Sequence, residues 1–342
     1  MTRLRRLPRA LFGTPGSALL TVLIAAFFAS VLPPLWRWAI TASTWDAPNR
    51  RACAPDGACW AFIRSRLGLF IYGPYPVEQR WRVDLALVLM VACVLGCLFA
   101  RRRVIWLALL VLAVPPAAAV LLAGGILGLP PVPTADWGGL VLNIVLSFVS
   151  VALAIPIGTL LAYGRRSRLP LVHGISVALI EFWRGAPLLA LLFMGLVLMP
   201  MALPQGVTLD NLVRALIVLV LFTSAYMAEA MRGGLQGVAP GQAEAAAALG
   251  LHRVRIEALV IIPQALRVAV PAIVNVAVDL FKDTTLVSVV GLFDLMGVVN
   301  QALKDQNWLG LAQEGYAFAA LLFFACCLLI SLAGTVLERR LR

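Results

Sequence analysis

The chain has 342 residues, of which 62% are apolar and 13% are charged. A soluble domain averages about 45–50% apolar and roughly 25% charged residues, so the composition excludes an ordinary soluble protein. The net charge of +12 does not indicate a nucleic-acid-binding surface. The arginines lie in short clusters between apolar blocks, where they orient a membrane protein.

The apolar residues fall into eight blocks, each long enough to cross a bilayer core of about 30 Å as a helix. We predict spans at 17–36, 84–100, 104–128, 138–163, 171–200, 209–231, 257–281 and 315–337. The predicted fold class is therefore an all-α integral membrane protein with about eight transmembrane helices. The first block is predicted to stay uncleaved, because its ~20-residue core exceeds the usual apolar run of a signal peptide.

Arginine clusters predict the orientation, since cytoplasmic loops carry an excess of Lys and Arg. The turns at 129–137 and 201–208 contain neither residue and are predicted to lie outside, which leaves both termini in the cytoplasm. The loop at 37–83 also carries arginines, but long translocated loops escape this rule. The arginines assigned to the cytoplasmic side are Arg3, Arg5, Arg6, Arg9, Arg101, Arg102, Arg103, Arg165, Arg166, Arg168, Arg339, Arg340 and Arg342.

The loop at 37–83 is predicted to be periplasmic and is the largest segment outside the membrane. Its stretch 60–72 mixes aromatic, leucine and arginine residues, as a helix at the membrane surface does. Cys53 and Cys59 lie in this loop, outside the reducing cytoplasm. A disulfide between them is a hypothesis that two free thiols would contradict.

The two parts of the chain differ in the polarity of their apolar segments. From about residue 134 onward, prolines and ionisable residues occur inside these segments, whereas the first three spans are nearly pure hydrocarbon. We predict an N-terminal extension of three helices at 1–133 and a five-helix working core at 134–342. The chain shows no convincing internal repeat, which weakens the case for a secondary transporter built from inverted halves.

A distinctive segment at 236–263 lies between the sixth and seventh spans. It combines a glycine-rich turn with a short alanine helix that ends at a glycine. Alone, this is also typical of a solvated connector, but its spacing resembles the cytoplasmic coupling loop of bacterial ABC importer permeases. The matching residues are Glu244, Ala245, Ala246, Gly250, Val260, Ile262 and Pro263. In that family the loop forms a helix that docks into a groove on the ATPase subunit.

The resemblance extends through the core. Residues 181–189, 226–234, 263–267 and 282–288 look like the polar amino acid branch, and the chain is most similar to a permease of general L-amino acid importers. This resemblance implies a type I importer core in the bacterial inner membrane that translocates amino acids by alternating access. It also implies two separate ATPase subunits that hold ATP and Mg, a second and commonly different permease, and a periplasmic amino acid binding protein.

Three acid–base pairs occur at a spacing of three residues in the core. A charge at mid-membrane costs very roughly 2.5–3.5 kcal/mol, so such residues usually face a partner or a wet cavity. An amino acid zwitterion needs an anion and a cation, and arginine binds a carboxylate bidentately. The pairs are Glu181 with Arg184, Glu229 with Arg232, and Asp279 with Lys282.

The predicted translocation path draws on these pairs. Its candidate residues are Arg184, Glu181, Glu229, Asn275 and Asp279. The pairs could equally neutralise each other and hold helices together. Relatives often place a glutamate directly after the asparagine, and here Val276 stands there, which puts that acidic contact in doubt unless Asp279 replaces it.

Two other function classes compete with an ABC permease. A proton-coupled secondary amino acid transporter would use Glu181 or Glu229 as its proton carrier and work without an ATPase. A membrane enzyme is disfavoured, because the only histidines are His173 and His252 and no metal-ligand set is evident. The chain has no P-loop, so we predict that it binds no cofactor and that ATP is hydrolysed elsewhere.

Overall fold

A computed structural model describes residues 11–100, 103–204 and 206–341. The arginines at 3, 5, 6, 9, 101, 102 and 342 lie outside these ranges. The described residues are helical, and β pairing among them consists of isolated bridges. The α-helices are α1 Pro15–Trp36, α2 Trp60–Tyr72, α3 Arg80–Phe99, α4 Arg103–Leu112, α5 Val114–Ala123, α6 Gly139–Arg165, α7 Pro170–Gly185, α8 Leu188–Ala202, α9 Asn211–Gln236, α10 Gly241–Ala248, α11 Arg253–Ile256, α12 Ile262–Asp283, α13 Leu295–Ala302 and α14 Ala312–Leu341.

The membrane-spanning helices match the prediction in number. Within the described ranges, seven helices are long and apolar enough to span a membrane, and a bent pair counted as one span makes eight. The predicted all-α membrane fold is confirmed. The seven are Pro15–Thr41, Val77–Phe99, Val104–Ala123, Gly139–Arg165, Asn211–Gln236, Arg253–Val290 and Ala312–Leu341.

The fifth predicted span, 171–200, is not one continuous helix. It consists of α7 and α8, which meet at 106°. Ala186 is extended at the bend, with ψ of 143°, and Pro187 follows it. Proline has no N–H and disfavours helical backbone in the residue before it, which explains the break.

The third predicted span, 104–128, ends earlier than expected. Helices α4 and α5 meet at Ala113, and α5 ends at Ala123. The next residue, Gly124, has φ of +65°, a conformation that glycine adopts without steric cost. Residues 124–128 therefore form a turn and not the last turn of the helix.

The described residues divide into two compact units. The first contains 11–67 and 302–318, and the second contains the rest. In the first unit, the structure joins Cys53 and Cys59 in a disulfide. The Cys59 N–H donates a hydrogen bond of 3.1 Å to Oε1 of the buried Glu314. The helix predicted from residues 60–72 is present as α2, and an ion pair of Arg66 with Asp305 adds a further contact.

The second unit is held together by close helix packing at small residues. A Cβ atom on Gly158 of α6 would lie 2.5 Å from Cβ of Met227 on α9. A Cβ atom on Gly234 of α9 would lie 2.3 Å from the carbonyl oxygen of Ala265 on α12. Glycine at these points allows the backbones to approach, which is how helices associate where lipid removes the hydrophobic driving force.

Helix α8 is completed by an arginine from its neighbour. Pro200 lies inside α8, and a proline leaves the carbonyl four residues earlier without its amide donor. That carbonyl belongs to Leu196, and Nη1 of Arg214 on α9 donates a hydrogen bond to it. Since lipid offers no donor, Arg214 supplies the hydrogen bond that Pro200 cannot.

We predict that Arg214→Leu lowers the free energy of unfolding by about 1–3 kcal/mol, because the Leu196 carbonyl is left unpaired. In a Pro200→Ala background the backbone amide is restored, so the same substitution should cost clearly less. Thermal unfolding of the four variants in one detergent gives this double-mutant cycle. An equal loss in both backgrounds would contradict the assignment.

The disulfide gives a second prediction. Replacing Cys53 and Cys59 by serine should destabilise the loop by about 2 kcal/mol, because the unfolded chain loses a covalent constraint. Limited proteolysis of residues 37–83 measures this, with Cys326→Ser, which removes a free thiol, as the control. Two free thiols in unreduced peptides, detected by mass spectrometry, would exclude the bond.

Candidate functional site

The short alanine helix of the segment at 236–263 is α10, and it has a buried side and an open side. Ala246 is 4% exposed, whereas Glu244 and Ala245 are exposed. The helix ends at Ala248, and Gly250 follows its cap residue Leu249 with a φ of +78°, which favours glycine. The Gly250 N–H donates to the Ala247 carbonyl at 2.9 Å. The exposed alanines leave a surface that another protein can approach closely.

Ala246 anchors α10 on the helices below it. It belongs to an apolar cluster that includes Met231 of α9 and Ala265 of α12. Nε2 of Gln264 also donates a hydrogen bond of 3.2 Å to Oε1 of Gln242. These contacts connect α10 to the apolar cluster and, through Gln264, to α12.

Val260, Ile262 and Pro263, the last matching residues of the segment at 236–263, lie in and just after a wide helical turn. Residues Glu257–Ile261 form a π-helical turn, and the Ile262 N–H donates to the Glu257 carbonyl. The turn places Pro263 in the first turn of α12, where its missing N–H needs no partner. The hydroxyl of Tyr163 on α6 donates to Oε2 of Glu257 at 2.8 Å, which fixes this turn to α6.

One face of α12 carries exposed polar side chains. Arg267, Asn275, Asp279 and Lys282 are all exposed, and their spacing of eight, four and three residues keeps them on one side of a helix with 3.6 residues per turn. Nζ of Lys282 lies 2.8 Å from Oδ1 of Asp279. A polar face on a membrane-spanning helix needs water or another protein against it.

The remaining path candidates meet in an ion cluster around Glu229, whose side chain is 19% exposed. Nη1 of Arg165 lies 2.6 Å from Oε1 of Glu229, and Nη1 of Arg184 lies 3.3 Å from the same oxygen. Nη2 of Arg232 lies 2.8 Å from Oε2. Arg165 also lies 3.3 Å from Oε1 of Glu181. The cluster joins α6, α7 and α9 near the last turn of α6, at the predicted cytoplasmic end.

The structure therefore divides the predicted path residues into two groups. Glu181, Arg184 and Glu229 belong to the ion cluster, whereas Asn275 and Asp279 lie on the polar face of α12. Glu181 and Arg184 pair with Arg165 and Glu229 of other helices, and not with each other as their spacing of three residues suggests. The sequence indicates only an orienting role for Arg165, because nothing local in it points to a partner 64 residues away.

A buried polar network at the start of α6 was not predicted. Nδ2 of Asn143 donates to Oγ1 of Thr284 at 2.9 Å and to Oδ2 of Asp294 at 3.1 Å. The Gly297 N–H donates to Oδ1 of Asp294 at 2.9 Å. Burial raises the pKa of the Asp294 carboxyl above its usual range, and these hydrogen bonds oppose the rise. The network ties α6 to the segment that follows α12.

The site as a whole is that of a membrane transport component. It has a short helix with an exposed alanine side, charges gathered at helix ends and a polar face along a spanning helix. Among the described residues, no group of three or more His, Cys, Asp or Glu side chains is placed to hold a metal ion. These features define a polytopic transport subunit.

Residues 154–342 match the family described as the binding-protein-dependent transport system inner membrane component. This match covers more than half of the chain, and the chain belongs to this family. It is a multi-pass protein of the inner membrane and a transport subunit, not an enzyme.

Two curated relatives match almost the whole chain. The inner membrane amino-acid ABC transporter permease protein YhdY of Escherichia coli is 43% identical over 332 residues, which cover 96% of this chain and 90% of that protein. The glutamate/glutamine/aspartate/asparagine transport system permease protein BztC of Rhodobacter capsulatus is 34% identical, with 97% and 92% covered. The resemblance to amino acid permeases of ABC importers is confirmed.

A solved structure shares the fold of part of the chain. It is described as an amino acid ABC transporter with histidines, and its chain is 29% identical with a TM-score of 0.52. The match covers 59% of this chain and 92% of that one. The two curated relatives thus match a longer part of the chain than the solved structure does.

Proposed function

We propose that the chain is the permease subunit of an ABC importer that moves amino acids across the inner membrane by alternating access. The curated relatives are named as permeases for amino acids, and the solved relative as an amino acid transporter. In this proposal both termini are cytoplasmic. Residues 1–133 are an N-terminal extension to the core at 134–342.

The proposed complex contains three kinds of partner subunit. Two ATPase subunits bind ATP and Mg, a second permease of different sequence completes the pathway, and a periplasmic binding protein delivers the amino acid. Binding-protein-dependent transport is the description of the matched family, which supports this composition. The absence of a P-loop from the sequence is consistent with ATP hydrolysis on the partners.

The geometry of α10 is the observation that carries the proposal. Its open side is made of small side chains beside Glu244, and Ala246 on its buried side belongs to the apolar cluster that also contains residues of α9 and α12. Leu249, at the end of α10, is 83% exposed. A groove on an ATPase subunit would cover this apolar residue and pair with the carboxylate. We propose that ATP-driven movement of that groove displaces α10 and, with it, the two helices.

The polar face of α12 is the proposed amino acid path. Asp279 is an anion suited to an ammonium group, and Asn275 is an uncharged donor and acceptor one helical turn away. Placing such a face against lipid would cost about 2.5–3.5 kcal/mol for each charge, so a wet cavity shared with the second permease is the favourable environment. Glu181, Arg184 and Glu229 are proposed to line the inner end of this path.

A proton-coupled secondary transporter remains the alternative, and the match to a binding-protein-dependent transport component does not favour it. It predicts uptake by this chain alone, driven by a proton gradient. Reconstitution separates the two functions, since the ABC proposal requires ATP, the ATPase subunits and the binding protein together. Uptake by the isolated chain without ATP would overturn the proposal.

Ala245→Trp should abolish docking, because a large side chain on the exposed side of α10 prevents close approach. We expect co-purification of the ATPase and ATP-driven uptake to fall at least about tenfold, a change of ~1.4 kcal/mol or more. Arg168→Trp, at an exposed position in the turn after α6, is the matched control. Full ATPase binding by Ala245→Trp would contradict the docking role.

Asp279→Asn should reduce uptake while leaving the ATPase bound. The side chain keeps its size but loses its negative charge. A hydrogen bond to a charged group is worth about 1.5–3 kcal/mol, so uptake should fall tenfold or more. Asp56→Asn, in the exposed part of the loop at 37–83, controls for the removal of one negative charge. Unchanged uptake by Asp279→Asn at limiting amino acid concentration would exclude Asp279 from the path. Unchanged uptake by Arg184→Ala would likewise exclude Arg184.

A further inference from the structure

We infer that Glu229 is the centre of a switchable latch that joins α6, α7 and α9, and that movement of the docking helix α10 opens it. The inference rests on the proposed coupling function and assigns positioning roles to Arg165 and Arg232, which the proposed path does not include. It follows from the contacts of one carboxylate with three helices.

Both oxygens of Glu229 are occupied by arginines. Oε1 receives Arg165 from the last turn of α6 and Arg184 from the last turn of α7, and Oε2 receives Arg232 from α9 itself. Two of the three arginines are thus held from other helices. Partly buried, charge-assisted contacts of this kind are short and directional, so they break when a helix moves by a few ångströms.

The latch is connected to the docking segment through α9. Nη1 of Arg232 donates a hydrogen bond of 3.1 Å to Oε1 of Gln236, the last residue of α9. Gly237 follows, and α10 begins four residues later at Gly241. A displacement of α10 therefore acts on the end of α9 that also carries Glu229 and Arg232.

The latch is also connected to the bent span. Arg184 lies in the last turn of α7, three residues before Pro187 and the 106° bend into α8. Its guanidinium carbon is 5.7 Å from the ring centre of Tyr226 on α9, a cation–π distance. Release of Arg184 from Glu229 would free the bend to move relative to α9.

The sequence spacing provides partners for the open state. Glu181 and Arg184 are three residues apart on α7, and Glu229 and Arg232 are three residues apart on α9, so each pair can form within its own helix. In the structure, the pair of Glu229 with Arg232 is already formed, whereas Glu181 pairs with Arg165 and Arg184 pairs with Glu229. Exchange of these partners changes the connection between helices without leaving a carboxylate unpaired near the membrane. This is the property of an element with two stable arrangements.

The test uses two isosteric substitutions that the latch requires to act in opposite directions. Glu229→Gln removes the charge that holds the helices together and should favour the open state. Glu181→Gln leaves Arg184 without its intrahelical partner in the open state. In the closed state Arg165 loses a contact of 3.3 Å but keeps Glu229 at 2.6 Å, so this variant should favour the closed state. Loss of an ordinary structural contact would shift both variants in the same direction.

The four free cysteines are first replaced by alanine, and spin labels are attached at Ile175→Cys on α7 and Ala239→Cys before α10. The distance between the two labels is then measured in the assembled complex. Both labelled positions are exposed. The native complex should show a nucleotide-dependent distance change. We expect Glu229→Gln to shift the open-to-closed ratio upward by about tenfold or more and to raise ATP hydrolysis without the binding protein. Glu181→Gln should shift the ratio downward.

The outcomes separate the latch from the proposed function. If the native chain does not bind the ATPase subunits, the proposed function fails. If the complex assembles and imports amino acids but shows no distance change, or if both variants shift the ratio in one direction, the latch is wrong. If Glu229→Gln does not assemble, the conservative Arg165→Lys variant replaces it, and an unchanged ratio in that variant overturns the latch.

Discussion

A bilayer supplies no hydrogen bonds, and the arrangement of this protein depends on how it satisfies its polar groups without water. The carbonyl of Leu196, freed by Pro200, takes its hydrogen bond from Arg214. The buried carboxylate of Asp294 takes hydrogen bonds from Asn143 and from backbone amides. In each case a polar group without water accepts a hydrogen bond from a side chain of another helix, and these hydrogen bonds constrain how the helices pack.

The same requirement distinguishes structural from functional polar groups. The network of Asn143 and Asp294 is buried on all sides and holds a fixed arrangement. The ion cluster around Glu229 is only partly buried and has alternative partners within reach. On the polar face of α12, Asp279 and Lys282 form an ion pair with each other, and both side chains are exposed in the described chain. Exposure therefore increases from the buried network, through the partly buried ion cluster, to the polar face that is proposed as the amino acid path.

Small residues make the coupling between these parts possible. Gly158 and Gly234 let α6, α9 and α12 pack backbone to backbone, and Ala246 seats the docking helix on the same group. Helices in such close contact move together when one of them is displaced. A docking helix of alanines would otherwise have little apolar area to bury. Its position depends on the closely packed helices beneath it, which in the proposed function carry its displacement to the ion cluster.

The sequence by itself determined the membrane class, the number of spans and the family, because each follows from local hydropathy or from residues close together in the chain. It also singled out the charged residues of the core. Only the tertiary structure decided their partners. Glu229 pairs with Arg165, 64 residues away, and Glu181 and Arg184 pair with residues of other helices and not with each other. The bend at Pro187 and the role of Arg214 were likewise undetermined. Helical spacing defines which side chains share a face, but the choice among several available charges depends on distances that exist only after the helices have packed.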